Sequence, residues 1–300
     1  RKPQAAGYAL QPPTEDLRMP NALGGFRNDG SEYSIWLAPG APTPAPWCNV
    51  LANETFGSVV SETGGAYSFA ENAHEFRLTP WYNDPLRDAS GEALWLRDEA
   101  TGEFWSATAR PTPCGDPYRV CHGFGYSRFE HAHADLYGEM TVFVAREAPV
   151  KLAVLKLVNK SDRPRRISLT SYVEWVLGER RERSAAHVRT RIDPVCGALF
   201  AQNPYDDVFA HKVAFHAIAT ARKAFTADRR AFLGRNRSLD APLGMRAETL
   251  DGSVGAGFDP CSAQRAIFEL APGEEVATMI VLGAADNEAE ARALVQAFDD

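Results

Sequence analysis

The residues best suited to chemistry in this sequence are tryptophans that adjoin polar hydrogen-bonding groups. Asn49 follows Trp47, and Asn83 and Asp84 follow Trp81. A saccharide presents apolar C–H faces and a rim of hydroxyls, which an indole face together with amide and carboxylate groups can bind. Adjacent prolines place both tryptophans on loops, where binding groups concentrate. We therefore predict a saccharide-contacting rim at these positions, although a single tryptophan more often fills a core.

Two histidines and an aspartate have the spacing closest to that of a metal site. Alternate residues of a strand share one face, so His131, His133 and Asp135 would point the same way on a strand. Zinc needs three or four ligands of this kind. The same spacing also suits a polar, solvated strand face, and Cys114 and Cys121 are too far apart in sequence for a zinc knuckle. We expect no metal ion here.

The remaining patterns have structural explanations. The glycine-rich segments at 24–30 and 123–125 lack the Lys-Ser/Thr and βαβ context of phosphate-binding loops, so we predict turns and bulges there. An arginine-rich run could bind a phosphate or a partner chain, but in an acidic chain a solvated sheet edge is the better interpretation. No Ser/His/Asp or Cys/His arrangement stands out, so no catalytic residue is assigned. The arginine run consists of Arg180, Arg181, Arg183, Arg189 and Arg191.

The composition is that of a globular protein, with 45% apolar and 24% charged residues among 300. A net charge of −7 argues against a nucleic-acid partner and against an anionic membrane surface. The most apolar stretch, Val276–Ala285, is shorter than the roughly 18 residues of a membrane-spanning helix. No signal peptide is visible. Five scattered cysteines predict reduced thiols in a cytosolic setting.

The elements that must position these residues are mainly strands. Short segments of alternating apolar and polar residues recur along the chain, and the clearest runs from Arg166 to Leu177, with one face predicted apolar and the other polar. The segment Ala271–Glu274 predicts a hairpin turn between two strands. A single convincing helix is predicted near the end, where Asn287 and Glu290 form a capping box. Its predicted apolar positions are Ala289, Ala293, Leu294, Ala297 and Phe298.

These elements predict an all-β protein built as a large antiparallel β-sandwich with a C-terminal linker helix. The predicted divisions are a linker or arm over residues 1–20, the β-sandwich over residues 21–285, and the start of a helix over residues 286–300. The first twenty residues are rich in proline and charge and show no apolar period.

Several long motifs resemble a known family. They are Thr43–Asn53, Phe56–Phe69, Leu78–Pro85, Gly125–His131, Tyr172–Gly178, Phe232–Asn236 and Val254–Cys261. Together they resemble the phosphorylase-like region of bacterial cyclic β-1,2-glucan synthases, which groups with the cellobiose and chitobiose phosphorylases of glycoside hydrolase family 94. The resemblance runs from about residue 21 to the end of the chain. Cys48 and His74 depart from it.

The resemblance implies a layout and a chemistry. The family begins with a large β-sandwich of the galactose-mutarotase-like supersandwich type, continues through linker helices, and ends in an α/α toroid that carries the general-acid aspartate. Inverting phosphorolysis needs that one acid, because phosphate itself attacks the anomeric carbon. No segment of this chain resembles the acid motif. We therefore expect no catalytic residue and no cofactor in these residues, with inorganic phosphate as a co-substrate of the parent enzyme only.

The resemblance also implies binding partners and a cellular location. Expected partners are a β-1,2-glucan or gluco-oligosaccharide and the toroid of the parent chain, and the family geometry allows a homodimer because the sandwich can reach a neighbouring active site. The contact residues it suggests are Trp47, Asn49, Tyr67 and the loop from Trp81 to Asp84. The domain is expected on the cytoplasmic side of a synthase in the bacterial inner membrane.

Two alternatives stay open from the residues alone. The chain could be a stand-alone carbohydrate-binding or mutarotase-like module, for which His122 or His131 would have to pair with Glu130 or Glu139. It could also be an interaction domain that docks the toroid and contacts no sugar.

Overall fold

The computed structural model describes residues 7–13, 17–27, 29–82, 84, 89–220 and 223–298. Strands dominate it. In chain order they are β1 (Gly24–Phe26), β2 (Glu32–Leu37), β3 (Cys48–Ala52), β4 (Phe56–Ser61), β5 (Ala66–Ala70), β6 (Glu92–Asp98), β7 (Phe104–Ser106), β8 (Tyr118–Gly123), β9 (Tyr126–His133), β10 (Leu136–Val144), β11 (Val150–Asn159), β12 (Arg165–Glu174), β13 (Arg189–Ile192), β14 (Leu199–Gln202), β15 (Val213–Ile218), β16 (Lys223–Asp228), β17 (Pro260–Leu270) and β18 (Glu275–Ala285).

The strands form three antiparallel sheets. A ten-stranded sheet has the order β1-β2-β8-β9-β10-β11-β18-β15-β14-β13, a five-stranded sheet has the order β16-β17-β12-β6-β7, and β3-β4-β5 form a third. The helices are short except for the last: α1 (Arg181–Ser184), α2 (Arg229–Leu233), a 3₁₀ turn (Leu243–Arg246) and α3 (Glu288–Ala297). The predicted all-β sandwich with a C-terminal helix is therefore confirmed. No helix in the described ranges is long and apolar enough to cross a membrane.

The main core lies between the ten-stranded sheet and the two smaller sheets. Ile35 and Phe129 of the large sheet pack in it with Ile167 of the five-stranded sheet and with Leu51 and Val60 of the three-stranded sheet. Interleaving of apolar side chains from facing sheets is the usual way in which a sandwich excludes water. The outer face of the five-stranded sheet is covered in turn, because Phe232 of α2 and Met245 of the 3₁₀ turn pack there.

Two details of the strand prediction are wrong. The predicted polar face of residues 166–177 is buried as well, because β12 lies in the middle of its sheet and α2 covers its second face. Ala271–Glu274 is not a hairpin turn within one sheet: it joins β17 of the five-stranded sheet to β18 of the ten-stranded sheet. A tight turn that changes sheets has the same local sequence signal as a hairpin, so the pattern could not separate them.

The C-terminal helix begins where the capping box predicted. The side chain of Asn287 accepts a hydrogen bond from the Glu290 backbone N–H at 3.0 Å. The buried positions, however, are Ala291 and Val295, with Leu294 and Phe298 partly buried beside them. Ala289, Ala293 and Ala297 are exposed, so these apolar positions were predicted wrongly: alanine favours a helix at any position and therefore does not mark the buried face.

The arginine run is only partly a solvated edge. Arg180 and Arg183 are exposed, but Arg181 is four-fifths buried in an ion network with Glu174 and Asp259. Within the predicted N-terminal arm, the backbone N–H of Tyr8 donates to Asp135 at 2.7 Å, so that the described part of the arm touches the sandwich. The five cysteines all lie within the described residues and form no disulfide bond.

Candidate functional site

Trp47 and Asn49 face the large sheet. Asn49 lies on the inner side of β3, and its amide donates to the carbonyls of Gly123 and Tyr126 at 3.0 and 2.9 Å. The backbone N–H of Trp47 donates to Glu62 at 2.7 Å, and its ring is half-buried against the main core. Buried amides paired in this way stabilise the fold. Both side chains thus attach the three-stranded sheet to the ten-stranded one.

Tyr67 and Trp81 lie on the opposite, outer face of the three-stranded sheet. Val50, Val59 and Tyr67 are directly opposite one another across the three strands, so their side chains share this face. Trp81 covers Tyr67 with ring centroids 4.8 Å apart, and Phe69 lies beside Tyr67 at 5.7 Å. We call these five residues the aromatic platform. Trp81 is 41% exposed and Val50 is 64% exposed.

The residue after Trp81 belongs to a second surface. Tyr82 lines an open cleft of about 990 Å³ at one end of the sandwich. Its hydroxyl donates to Glu174 at 3.4 Å. Burial, together with the negative charge of Glu174, raises the pKa of Tyr82 to about 12, so the phenol stays protonated. The Trp81–Tyr82 pair therefore borders the aromatic platform on one side and the cleft on the other. Loops 37–42, 63–65, 109–111 and 237–240 complete the cleft wall.

An ion network forms the floor of the cleft. Glu174, at the end of β12, is 3% exposed and pairs with Arg181 and Arg229, each at 2.8 Å. Asp259 bridges the same two guanidinium groups. The hydroxyl of Tyr172 also donates to Glu174 at 3.1 Å. Glu174 thus accepts hydrogen bonds from Arg229 and from two phenols and is ion-paired with Arg181, so its carboxylate is fixed in place.

The other carboxylates of the described cleft wall also have donors. Glu92 pairs with Lys151 at 2.7 Å and accepts further from Ser68 and Thr79. Asp116 pairs with His133 at 2.7 Å, and Asp240 accepts from the hydroxyl of Ser238. A general acid must carry a proton toward a substrate oxygen. The carboxylate oxygens of these residues instead form ion pairs and hydrogen bonds within the protein.

The sequence-predicted site residues thus divide between two faces. Tyr67 and Trp81 meet on the aromatic platform, whereas Trp47 and Asn49 lie on the inner side of the same small sheet. Asp84 is half-buried, and Asn83 lies outside the described residues. Sequence reasoning included Tyr82 only as part of the loop from Trp81 to Asp84, and it missed Glu174 and Arg229. The signal available for Glu174 was a charged residue at the end of the longest apolar strand pattern.

His131 and His133 share one face of β9, as the strand spacing predicts. Asp135 does not join them: the strand ends at His133, and Asp135 lies in the following turn with φ of 60°. The predicted three-residue face is therefore wrong at Asp135, because the chain reverses before the third position. His131 is buried and stacks on Tyr118 with centroids 3.8 Å apart.

The His/Glu pair of a mutarotase-like site is not assembled from its candidates. Glu130 is adjacent to His131 on a strand, so the two side chains point to opposite faces, and Glu130 pairs with Arg119 instead. Glu139 lies opposite Glu130 in the register and shares its face. The ring nitrogens of His122 contact Ser127 and the carbonyl of Trp47, each at 2.9 Å.

Comparison with known families identifies the fold. The profile described as "Glycosyl hydrolase 94, supersandwich domain" matches residues 31–300, which is nearly the whole chain. This chain belongs to the glycosyl hydrolase 94 supersandwich family. The sandwich, its cleft and its C-terminal helix are therefore features of a domain within a carbohydrate-active enzyme family.

Two curated relatives are much longer than this chain. The cyclic beta-(1,2)-glucan synthase NdvB of Rhizobium meliloti (strain 1021) is 37% identical over 285 residues, which cover 94% of this chain and 10% of the relative. The N,N'-diacetylchitobiose phosphorylase of Vibrio furnissii is 29% identical over 276 residues, covering 89% of this chain and 34% of the relative. The chain thus spans a tenth to a third of the length of these relatives.

Among solved structures, a putative aldose 1-epimerase from Escherichia coli K12 superposes with a TM-score of 0.49 and 7% sequence identity, over 80% of this chain and 99% of that one.

Proposed function

We propose that this chain is the non-catalytic β-sandwich domain of a larger enzyme that acts on β-1,2-glucans as a glycosyltransferase or inverting phosphorylase. Its role is to support saccharide binding and to dock the catalytic α/α toroid. Family membership and the 37% identity to a cyclic glucan synthase support this proposal. The chain covers only 10% of that relative, which supports the proposal that other parts of the larger enzyme carry out catalysis.

The observation that carries the saccharide-binding role is the aromatic platform at the rim of the cleft. Trp81 is 41% exposed, yet its ring is held in place by its tilted contact with Tyr67. A preorganised indole loses little conformational freedom when a sugar ring packs on it. Tyr82 and Arg229 supply hydrogen-bonding groups on the adjoining cleft wall, where sugar hydroxyls would lie.

The observation that supports a non-catalytic role is the saturation of the cleft carboxylates. Glu174 and Glu92 are committed to ion pairs inside the protein. The proton donor for glycosidic bond cleavage is therefore assigned to the toroid, and phosphate is assigned to the parent active site. The proposal includes no cofactor for this domain. It puts the domain on the cytoplasmic side of a synthase in the inner membrane. It also includes a homodimer of the parent enzyme.

The test is a titration of linear β-1,2-glucan oligomers into the 300-residue chain, followed by tryptophan fluorescence and calorimetry. We expect weak, saturable binding that Trp81→Ala abolishes. Tyr205→Ala is the matched control, because Tyr205 is 75% exposed and stacks on His187, outside the platform and the cleft. Trp175 is unsuitable as a control, since it is fully buried and its loss would damage the core.

Two results would count against the proposal. The absence of heat and of fluorescence change at millimolar sugar would leave only the docking role. Release of glucose 1-phosphate from sophorose-type oligomers by this chain alone, in the presence of phosphate, would show that the acid lies within it.

A further inference from the structure

Three potential metal ligands converge beside the cleft, and a fourth, His131, lies next to one of them. Cys114 and Asp116 lie on the loop between β7 and β8, and His131 and His133 lie on one face of β9. The Sγ of Cys114 is 2.9 Å from Nε2 of His131, and Oδ2 of Asp116 is 2.7 Å from Nδ1 of His133. Ligand atoms of Cys114, Asp116 and His133 all lie within 4.8 Å of one another.

The outer nitrogens of both imidazoles are already used as donors. Nδ1 of His131 is 3.0 Å from the carbonyl of Pro117, and Nε2 of His133 is 2.9 Å from a carboxylate oxygen of Glu103. A carbonyl and a carboxylate can only accept, so each of these nitrogens must carry the proton. The same arrangement, in which the far nitrogen donates to a carbonyl or carboxylate, fixes the ring of most metal-bound histidines.

This proton placement decides what the two inner nitrogens do. Nε2 of His131 accepts from the thiol of Cys114, whereas Nδ1 of His133 faces the carboxylate of Asp116 and donates to it only with a second proton on the ring. One divalent cation could replace the thiol proton and this second imidazole proton, with the sulfur, the carboxylate and both inner nitrogens as its ligands.

We propose that Cys114, Asp116, His131 and His133 form a zinc-binding site. A thiolate and two imidazoles are the donors that Zn²⁺ favours over Mg²⁺ or Ca²⁺, and a fourth protein ligand closes the tetrahedron as in structural zinc sites. In a tetrahedral site, Zn–S and Zn–N bonds of about 2.3 and about 2.0 Å place sulfur and nitrogen about 3.5 Å apart, so the sulfur of Cys114 and Nε2 of His131 must separate by about 0.6 Å. Cys114 and Asp116 lie on a loop and are half-buried, so the loop can make this adjustment.

The bound ion would join the loop to the large sheet. The loop that carries Cys114 and Asp116 forms part of the cleft wall, and its neighbour Tyr118 stacks on His131. Zinc would thereby set the shape of that wall without contacting substrate. The site stands on its own contacts and does not depend on the proposed function.

The experiment uses the purified, chelator-treated 300-residue chain. Calorimetry with Zn²⁺ should give one equivalent, and Co²⁺ should produce the intense visible bands of a tetrahedral site together with a thiolate-to-cobalt charge-transfer band. Cys114→Ser should remove the charge-transfer band, and His133→Gln should weaken Zn²⁺ binding by roughly 100-fold or more. Glu103→Gln, which alters only the outer contact of His133, should weaken binding by roughly 10-fold.

Cys48→Ser and His211→Gln are the matched controls, because both residues are exposed and lie outside the cluster. They should leave binding unchanged. Absence of one-equivalent Zn²⁺ binding to the wild-type chain would overturn the proposal, and so would a charge-transfer band that survives Cys114→Ser. Circular dichroism of each variant establishes that it is folded. If Cys114→Ser does not fold, the cobalt spectrum of the wild-type chain and the His133→Gln titration decide the question.

Discussion

Arg292 of the C-terminal helix forms a two-point ion pair with Asp193, which follows β13 of the large sheet. Nη2 of Arg292 is 2.6 Å from one carboxylate oxygen and Nε is 3.2 Å from the other. Asp193 is fully buried and also accepts from the backbone N–H groups of Val195 and Cys196 at 3.0 Å. The helix that would lead toward a toroid is thus fixed to the sandwich by a buried charge as well as by apolar contacts.

We predict that Arg292→Ala lowers the free energy of unfolding, because it leaves the buried Asp193 carboxylate without its cation. Urea unfolding followed by far-ultraviolet circular dichroism measures the change. Arg166→Ala is the control: its pair with Glu269 is exposed on both sides and should contribute no more than about 0.5 kcal/mol. Equal losses of unfolding free energy in the two variants would show that the Arg292–Asp193 ion pair does not stabilise the fold more than an exposed pair does.

His216 should make the fold sensitive to acid. It is fully buried on β15 and joins the two main sheets through Ser171 and Ser262, at 2.8 and 2.7 Å. Burial, aided by the charge of Lys223, lowers the pKa of His216 from 6.5 to about 3. Between these values the unfolded chain binds a proton that the folded chain does not. The contribution of this histidine is therefore present above pH 6.5 and is lost as the pH falls toward 3.

At pH 4 the loss from His216 should approach about 3 kcal/mol relative to pH 7. His216→Gln keeps hydrogen-bonding groups in place but cannot titrate, so its stability should fall less steeply over this range. His187→Gln removes an exposed histidine and should reproduce the wild-type slope. Denaturant midpoints measured at several pH values test this, and parallel curves for wild type and His216→Gln would exclude the explanation.

The fold was predictable where local periodicity decides structure. The strand predicted from Arg166 to Leu177 is found as β12 (Arg165–Glu174), and the capping box at Asn287 marks the start of the helix. The assignment of strands to sheets was not predictable in the same way. The turn Ala271–Glu274 has the residues of a hairpin, yet its two strands pack in different sheets, because only long-range contacts decide which sheet a strand joins.

The candidate site was predictable only in part, for a similar reason. Trp81 and Tyr67 could be singled out by residue type, and their rings are in contact, with centroids 4.8 Å apart. Glu174 and Arg229 pair at 2.8 Å. Because they are far apart in sequence, no local sequence pattern predicts this contact. Cys114 and His131 likewise meet only because a loop folds back over a strand.

Asn49 should matter for stability but not for sugar binding. Asn49→Ala removes the donor to two carbonyls of the β8–β9 hairpin, so we expect a loss of about 1 to 3 kcal/mol in unfolding free energy. Glucan affinity of the folded variant should stay at the wild-type value. Trp81→Ala should behave in the opposite way, with little change in stability and loss of binding. A binding defect in folded Asn49→Ala would move the saccharide site toward the inner face.

Gly57 is required for the shape of the aromatic platform. It lies opposite Phe69 in the sheet, and a Cβ added at this position would be 2.3 Å from the tip of the Phe69 ring. The ring of Phe69 would have to swing away and press on Tyr67 beneath Trp81. We predict that Gly57→Ala costs about 1 kcal/mol in stability and shifts the tryptophan emission, because the surroundings of Trp81 change.

Gly138→Ala provides the matched control for Gly57→Ala. Gly138 also lies within a strand, but its added Cβ would meet only Leu157, at 3.5 Å, which is ordinary contact. Gly138→Ala should change the free energy of unfolding by no more than about 0.5 kcal/mol and should leave the tryptophan emission unchanged. If sugar binds on the platform, Gly57→Ala must also weaken the glucan titration. Unchanged binding together with a shifted emission would place the sugar in the cleft, beyond the stacked rings.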